Sequence, residues 1–343
     1  MPRTSPSSRR RWRLPAIVIL AAMLAPGTWW RSPLPAPDNR QILSVQAIPA
    51  SADAFAAACA PVVLEKAWHL TSPNDHFGGY SGLVRLDGDR FLAGSDRGDM
   101  LIFDSPDPPG HISPAPPRLG PFNPDAGSIK RNSDLEALTR DPKTGQIWAG
   151  YEFTNSIVRY NAQLQLEKDI APKAMRFWPQ NSGPESVTRL NDGRFIVLAE
   201  RHYDGSKGHT PALLFPGDPV EGARPIEFRF PTPDGMAPVD AATLPDGRVV
   251  ILLRGFRFGL PPRFHTRLVV GDPKTIRAGK AWQLQDIAAL RDETLFDNYE
   301  GITIEPAQDG TVFLWIISDD NTASFQRTLL LKARWNPTQT CPS

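Results

Sequence analysis

One pattern recurs five times along this chain, at intervals of 49 to 60 residues. In each copy a small or acidic residue opens a short apolar run, a turn with glycine follows, and a second apolar run ends in charged residues. The copies begin near positions 81, 136, 185, 240 and 300. A unit of this length holds four strands, which is the size of one β-propeller blade.

Turn residues between the paired apolar runs indicate hairpins. Each pair is joined by a dipeptide whose glycine suits the positive φ of a tight turn. These dipeptides are Asp87-Gly88, Thr144-Gly145, Asp192-Gly193, Asp246-Gly247 and Asp309-Gly310. Proline, at 36 of 343 residues, also favours short strands and turns over a helical bundle. A β-sandwich is the alternative architecture, although sandwiches do not repeat one motif five times.

The two ends of the chain are expected to close the ring. The last unit shows three strands, ending with Thr328 to Trp335, and Val62 to Leu70 supplies a strand that would complete it. Such a closure leaves no exposed sheet edge. We therefore predict an all-β fold, a β-propeller of five four-stranded blades closed by N- and C-terminal strands. A sixth blade is the alternative if residues 42–48 contribute to one.

The first 31 residues have the charge order of an export signal. Arginines precede an apolar run from Leu14 to Ala25, which is too short to span a bilayer comfortably. Arg9-Arg10-Arg11 resembles a twin-arginine signal, and an uncleaved inner-membrane anchor continuing to Trp30 is the alternative. We expect a signal peptide or anchor over 1–31, a proline- and alanine-rich tether over 32–60, and a propeller domain over 61–343. The location is then periplasmic or secreted.

Charge and cysteine content limit the expected partners. The formal net charge is +1, and six arginines lie in the first 31 residues, so the remainder is mildly acidic at about −5. Nothing electrostatic favours nucleic acid, membrane contact is expected only through an uncleaved N-terminal segment, and a monomer is expected. Cys59 and Cys341 lie at opposite ends of the propeller segment. In an oxidising compartment they form a disulfide, or they remain two unrelated thiols.

Charged residues recur where the paired strands begin and end. Because antiparallel partners run in opposite directions, the start of the first strand and the end of the second lie at the same edge. If the first strand is innermost, both sets surround one mouth of the central channel. The opening positions are Asp134, Glu136, Glu185, Asp240 and Glu300. The closing positions are Asp96, Arg97, Glu152, Glu200, Arg201, Arg254, Asp319, Asp320 and Asn321.

Carboxylates gathered at one mouth repel one another unless arginines or a cation compensate them. Oxygen ligands favour calcium, and the repeat has no cysteine or histidine cluster that would favour zinc, copper or iron. His202 and His209 flank a glycine-containing loop and are interpreted as loop residues rather than ligands. For any single acid the alternative role is a turn cap. The expected metal ligands are Asp134, Glu136, Glu185, Asp240, Glu300 and Asp319.

An ordered series of motifs resembles the phytase-like domain family of exported bacterial proteins. The motifs are Gly78-Gly79-Tyr80-Ser81-Gly82-Leu83, Ser95-Asp96-Arg97-Gly98, Asp134-Leu135-Glu136-Ala137-Leu138, Asn181-Ser182-Gly183-Pro184-Glu185-Ser186, Ala199-Glu200-Arg201 and Asn298-Tyr299-Glu300-Gly301-Ile302. The resemblance implies a phytase-like propeller with calcium-assisted esterase or phosphoesterase activity. The Asp-Ala-x-x-Asp-Asp-Pro-Ala stretch that true β-propeller phytases share has no match here, so phytate is not implied as the substrate.

Two classes of function follow from these residues. In the first, an exported hydrolase acts on a small-molecule phosphate or carboxylate ester with calcium, while Arg97, Arg201 and Arg254 neutralise negative charge. Glu200 or Glu152 would be the general base. Covalent serine catalysis has little support because Gly-x-Ser-x-Gly is absent. In the second, the mouth binds a sugar, peptide or envelope component without catalysis; a lactonase is a related enzymatic option.

Overall fold

The computed structural model describes residues 36–58, 61–107, 115–122, 134–201, 208–257, 263–321 and 326–339. The chain divides into residues 1–38, of which only 36–38 are described, and residues 39–343, which contain all the described strands. The predicted signal or anchor over 1–31 lies outside the described residues, as do Cys59 and Cys341. No helix in the described part of the chain is long and apolar enough to cross a membrane.

The described strands form five antiparallel sheets. The N-terminal strands are β1 (Ser44–Ile48), β2 (Phe55–Ala57) and β3 (Val62–Thr71). Blade one contains β4 (Tyr80–Arg85), β5 (Arg90–Ser95), β6 (Asp99–Asp104) and β7 (Arg118–Pro121). Blade two contains β8 (Leu135–Arg140), β9 (Ile147–Tyr151), β10 (Ser156–Tyr160) and β11 (Leu166–Ile170). Blade three contains β12 (Pro184–Arg189), β13 (Phe195–Ala199), β14 (His209–Phe215) and β15 (Ile226–Pro231).

Blades four and five combine strands from both ends of the chain. Blade four contains β16 (Ala237–Thr243), β17 (Val249–Arg257), β18 (Arg263–Gly271) and β19 (Leu284–Leu290), with β2 at its edge. Blade five contains β20 (Asn298–Pro306), β21 (Val312–Asp319) and β22 (Thr328–Trp335), followed by β3 and β1. Helical structure among the described residues is limited to 3-10 turns at Lys173–Met175, Pro219–Glu221, Pro233–Gly235, Pro273–Thr275 and Glu293–Leu295.

The first strand of every blade is innermost. Strands β4, β8, β12, β16 and β20 contact one another in that order, and β20 contacts β4, so the ring is closed. The apolar core accordingly divides into five clusters, each between neighbouring blades. Between blades five and one, for example, the ring of Trp315 in β21 lies 4.8 Å from that of Phe91 in β5. The structure confirms the predicted five-bladed propeller.

The N-terminal strand closes the ring as predicted. Strand β3 pairs antiparallel with β22, with Val62 opposite Trp335. Strand β1 pairs with the outer side of β3, and β2 pairs with β19. Residues 42–48 therefore extend blade five and do not begin a sixth blade. Because β1 and β2 lie within the segment expected to be a tether, the propeller sheets extend upstream of residue 61.

The predicted hairpin turns are confirmed by their backbone conformation. The five turn glycines all have positive φ, between 69° and 89°, the region that favours glycine over other residues. They are Gly88, Gly145, Gly193, Gly247 and Gly310. Each turn joins an innermost strand to the second strand of its blade, so it lies at the end of the ring opposite to the predicted acidic positions.

Candidate functional site

A bulge near the start of each innermost strand determines the arrangement of the site. In all five blades the pairing of the first strand with the second slips by one residue. A bulge leaves one residue unpaired, bends the strand and changes the direction of the side chain. The bulged residues are Ser81, Glu136, Glu185, Val239 and Glu300. Three glutamates and a serine therefore occupy equivalent positions around the axis.

Two further positions of each blade lie beside the bulge. One position is the residue two places before the bulged residue, and the other is the residue that closes the second strand. The backbones of these two residues face each other; in blade two, for example, Glu152 N donates to Asp134 O at 2.9 Å. The preceding residues are Gly79, Asp134, Gly183, Ala237 and Asn298. The closing residues are Asp96, Glu152, Glu200, Arg254 and Asp319. We call these two sets and the bulged residues the acidic mouth, because they include eight carboxylates and one guanidinium.

Two groups of carboxylates in the acidic mouth are close enough to hold a cation. One contains Asp134, Glu136 and Glu152, and the other contains Glu152, Glu185 and Glu200. Within each group the candidate ligand oxygens lie within 4.8 Å of one another. Glu152 belongs to both groups, and all five residues except Glu136 are at least nine-tenths buried. The structure thus brings predicted ligands and the two predicted bases together.

Burial and mutual repulsion raise the pKa of several of these carboxyl groups. Loss of hydration and nearby carboxylates hold the pKa values of Glu136 and Glu185 well above the usual 4.5. Burial is also the main cause that raises the pKa of Glu152 to about 7, that of Asp319 to about 8 and that of Asp96 to about 6. Ionising the whole cluster is therefore unfavourable unless positive charge compensates it.

Arg254 supplies part of that compensation on one side of the mouth. It contacts Glu300 and donates to Glu200 Oε1 at 3.1 Å and to Asn298 Oδ1 at 3.1 Å. Asn298 Nδ2 donates in turn to Glu300 Oε1 at 2.7 Å and to Asp319 Oδ2 at 3.3 Å. By contrast, no ion pair among the described residues involves Glu136, Glu152 or Glu185. Arg254 thus neutralises mainly the part of the acidic mouth that contains Glu200 and Glu300.

The other two predicted arginines lie at the edge of the mouth. Arg201 is bound to Glu200 at 3.2 Å, and its side chain is 71% exposed. Arg97 donates to the carbonyl oxygen of Phe77 at 2.7 Å and retains exposed surface. Both guanidinium groups can therefore be reached from solvent. This placement suits recognition of an anionic group on an incoming ligand.

The structure does not bring Asp240 together with the other predicted ligands. Its side chain is fully buried and accepts hydrogen bonds from Ala241 N and from Ile302 N of blade five, both at 2.8 Å. Burial raises the pKa of Asp240 well above its usual value. Asp240 is the residue that follows the bulge of blade four, and Gly82 is the equivalent residue of blade one. A Cβ atom added to Gly82 would lie only 2.9 Å from the backbone of blade two. This position faces the neighbouring blade.

Three residues of the mouth, Ser81, Asp96 and Asn298, were given no ligand or catalytic role from sequence. Asn298 occupies the place that Asp134 occupies in blade two, and aligning the repeats on the bulge would have identified it. Asp96 corresponds to Glu152 and Glu200 at the end of the second strand. Its carboxylate lies so close to Gly79 that a Cβ there would be 2.4 Å from Oδ1, which explains the glycine at that place. His202 lies outside the described residues.

A profile of the phytase-like family, described as esterase-like activity of phytase, matches residues 75–322. The chain belongs to this family. The match extends from just before β4 to just beyond β21 and so includes every position of the acidic mouth. It confirms the resemblance drawn from the motifs. No curated protein sequence matches this phytase-like chain.

The solved structures that match this chain are distant from it in sequence. A luciferin-regenerating enzyme is 14% identical over 78% of this chain and 84% of its own, with a TM-score of 0.43. Hydrazine synthase of Kuenenia stuttgartiensis is 11% identical over 76% and 64%, with a TM-score of 0.39. The Cps50 (Swd1) propeller domain of Myceliophteria thermophila is 9% identical over 87% and 100%, also at 0.39. At these values none of them bears on function.

Proposed function

We propose that this phytase-like propeller is a calcium-assisted hydrolase of small phosphate or carboxylate esters, acting at the acidic mouth. One observation carries the proposal: eight carboxylates and a single arginine occupy equivalent positions in five blades, and two groups of them lie within ligand distance of a common ion. The description of the family as esterase-like supports the reaction class.

The donor atoms of the mouth fit a hard divalent cation. Both candidate groups consist of carboxylates alone, and calcium takes six to eight oxygen ligands of this kind. The hydroxyl of Ser81, at the bulge of blade one, is buried and has no hydrogen-bond partner among the described residues. It is a further oxygen donor at a position equivalent to the three glutamates. Zinc and copper prefer nitrogen and sulfur ligands, which these groups lack.

The chain's own residues divide the remaining tasks. Bound calcium would offset the carboxylate repulsion and polarise an ester oxygen. Arg97 and Arg201, with exposed guanidinium groups at the rim, would bind the anionic part of the substrate. Arg254 is held by Glu200 and Glu300, so it would fix the wall of the mouth and stabilise negative charge that develops nearby.

A proton acceptor must keep a lone pair free of the ion. Glu152 lies in both carboxylate groups and is better placed to hold calcium than to accept a proton. Asp96 lies outside both groups, is partly exposed, and has a pKa of about 6 because burial and Glu300 disfavour its charge. We therefore assign Asp96 as the general base. Glu200 is the other candidate, although Arg201 and Arg254 already occupy its oxygens.

We also propose that the protein acts outside the cytoplasm. The arginine-rich, then apolar, order of residues 1–31 supports export. Carboxylate sites of extracellular modules bind calcium with dissociation constants of about 0.1 to 1 mM. Such a site is filled where calcium is abundant, which is consistent with a periplasmic or secreted location.

Ester turnover by the full-length protein tests the proposed function. p-Nitrophenyl phosphate and p-nitrophenyl acetate would be assayed after metal removal and again after calcium is restored. We expect turnover to return with calcium and to be lost in Glu185→Gln. Glu227→Gln, an exposed change on β15, is the matched control and should behave as wild type.

Asp96→Asn separates the general base from the ion site. It should lower kcat by about 100-fold or more and flatten the acidic limb of the pH profile, without changing calcium affinity. Turnover that survives both metal removal and Glu185→Gln would contradict the proposal. Calcium binding without turnover of either ester type would favour a propeller that only binds its ligand at this mouth.

A further inference from the structure

A cavity of about 400 Å³ lies at the opposite end of the ring of innermost strands. Its walls come from the later parts of these five strands and the turns that follow them, and none of its lining residues belongs to the acidic mouth. A strand advances about 3.3 Å per residue, so a residue four places after the bulge lies about 13 Å further along the axis. The two ends of the channel are therefore chemically separate.

Three arginines occupy equivalent positions around this cavity. The fourth residue after each bulge is Arg85, Arg140, Arg189, Thr243 or Ile304, in blade order. All five residues line the cavity. We call this ring of five residues the arginine mouth. The blade repeat thus directs three guanidinium groups toward one space.

Two of these arginines have carboxylate partners that are mostly in solvent. Arg85 lies 2.7 Å from Asp89, whose side chain is 71% exposed, and Arg140 lies 2.9 Å from Asp87, whose side chain is 85% exposed. Because the two carboxylates lie largely in solvent, water screens both ion pairs and reduces what they contribute. Glu305, which is partly buried, lies further from Arg85, at 3.5 Å.

The third arginine is already neutralised. Arg189 is 3.0 Å from Asp141, which is buried. Its backbone N–H donates to the hydroxyl of Thr139 at 3.0 Å. The charge and the backbone donor of Arg189 therefore both have partners within the protein. Arg85 and Arg140 are therefore the positive groups that remain for a ligand.

Both of these arginines carry an unsatisfied donor. Nε of Arg85 and Nε of Arg140 are buried and have no hydrogen-bond partner among the described residues. The Arg140 side chain is only 10% exposed, so bulk water does not surround it. A buried donor of a charged group without a partner is strongly unfavourable. An anion held between these two guanidinium groups would form charge-assisted hydrogen bonds with them.

The remainder of the cavity wall is largely apolar. The apolar residues that line it and retain accessible surface are Leu86, Pro142, Pro245, Ile304 and Pro306. An inorganic ion would leave this surface in contact with water, whereas an apolar substituent would cover it. The volume is within the range of pockets for small organic ligands.

We propose that the arginine mouth binds a small organic anion. Its phosphate, phosphonate or carboxylate group contacts Arg85 and Arg140, and its apolar body lies against the channel wall. This site is independent of the hydrolase proposed for the acidic mouth, and it needs no metal ion.

Calorimetric titration of the full-length protein with phenylphosphonate and with benzoate tests this site, because neither compound is an ester. We expect saturable binding of at least one of them, and an affinity about 10-fold or more lower in Arg140→Gln, since one charge-assisted pair is lost. Inorganic phosphate, which lacks the apolar body, should bind more weakly than phenylphosphonate. Arg85→Gln provides the same test if Arg140→Gln does not fold.

Two control variants separate this site from other cationic and acidic groups. Arg194→Gln removes an arginine that pairs with Asp192 within a turn and does not line the cavity, so it should bind as wild type does. Glu185→Gln alters only the acidic mouth and should also leave the affinity unchanged. The proposal would be overturned if Arg140→Gln bound the ligand as tightly as wild type, or if Glu185→Gln lost binding. It would also be overturned if phosphate bound as tightly as phenylphosphonate, or if no saturable binding occurred up to about 10 mM.

Discussion

Replacing Glu152 with glutamine is expected to stabilise the metal-free protein near pH 8 while it weakens calcium binding. Glu152 is 8% exposed, and burial raises its pKa to about 7 from the usual 4.5. Glutamine has nearly the same shape and can still accept the hydrogen bond that Gly183 N donates to Oε1 at 3.4 Å. The substitution therefore removes the charge with little change in packing.

The size of the effect follows from the two pKa values. A carboxyl group whose pKa is raised on folding binds its proton more tightly in the folded protein. The free energy of unfolding therefore falls as the pH rises from about 4.5 to about 7. The difference corresponds to about 3 kcal/mol, and solvent screening at the mouth reduces it to roughly 1 to 2 kcal/mol. For a domain of this size, the Tm changes by about 2 to 3 °C.

Urea denaturation of wild type, Glu152→Gln and the control Glu227→Gln measures this effect at pH 5 and pH 8 without calcium. At pH 8 we expect Glu152→Gln to be more stable than wild type by roughly 1 to 2 kcal/mol, and at pH 5 the difference should largely vanish. Added calcium should stabilise wild type more than the variant. A variant that is less stable than wild type at pH 8, or equally shifted at both pH values, would refute the reasoning.

Two further substitutions test the surrounding charges. Arg254→Gln removes the cation between two buried glutamates, so the free energy of unfolding at pH 8 should fall by about 3 kcal/mol; a change as small as that of the exposed Arg201→Gln would contradict this role. Asp240→Asn should lower stability by about 1 to 3 kcal/mol in thermal or urea unfolding, because the amide nitrogen cannot accept a bond from Ala241 or Ile302. Its calcium affinity should stay unchanged, and a loss would place Asp240 in the ion site after all.

The propeller could be predicted from sequence because its signals are local and repeated. The glycine turns, such as Asp192-Gly193, recur in phase with the apolar runs, and each is a hairpin with positive φ. The closing strand was also predictable, since the last repeat lacks one strand and Val62 to Leu70 matches it. These features depend on short-range periodicity and on the pairing of strands.

The fine geometry of the site could not be predicted in the same way. The spacing of acidic residues along the sequence predicts Asp240 as the metal ligand of blade four. The backbone pairing instead places the bulge of this blade at Val239. A shift of one residue turns a side chain from the mouth toward the next blade. Which carboxylates share an ion depends on side-chain distances between blades, as for Glu152 and Glu185, and no spacing along one strand contains that information.

The arginine mouth carried a sequence signal that was not used. Arg85, Arg140 and Arg189 are separated by the same intervals as the opening positions of their repeats. That these arginines lie around one cavity follows only once the five innermost strands are known to contact one another in a closed ring. Repeat-phased positions are therefore informative at both ends of a propeller channel.

Calcium titration of the metal-free, full-length protein by calorimetry at pH 7 tests the central claim most directly. In two buffers with different ionisation enthalpies, the account predicts saturable binding of at least one ion per chain with release of protons, because Glu152, Glu185 and Asp319 have raised pKa values without the ion. Absence of saturable binding, or an unchanged affinity when Glu152 and Glu185 are both replaced by glutamine, would contradict it.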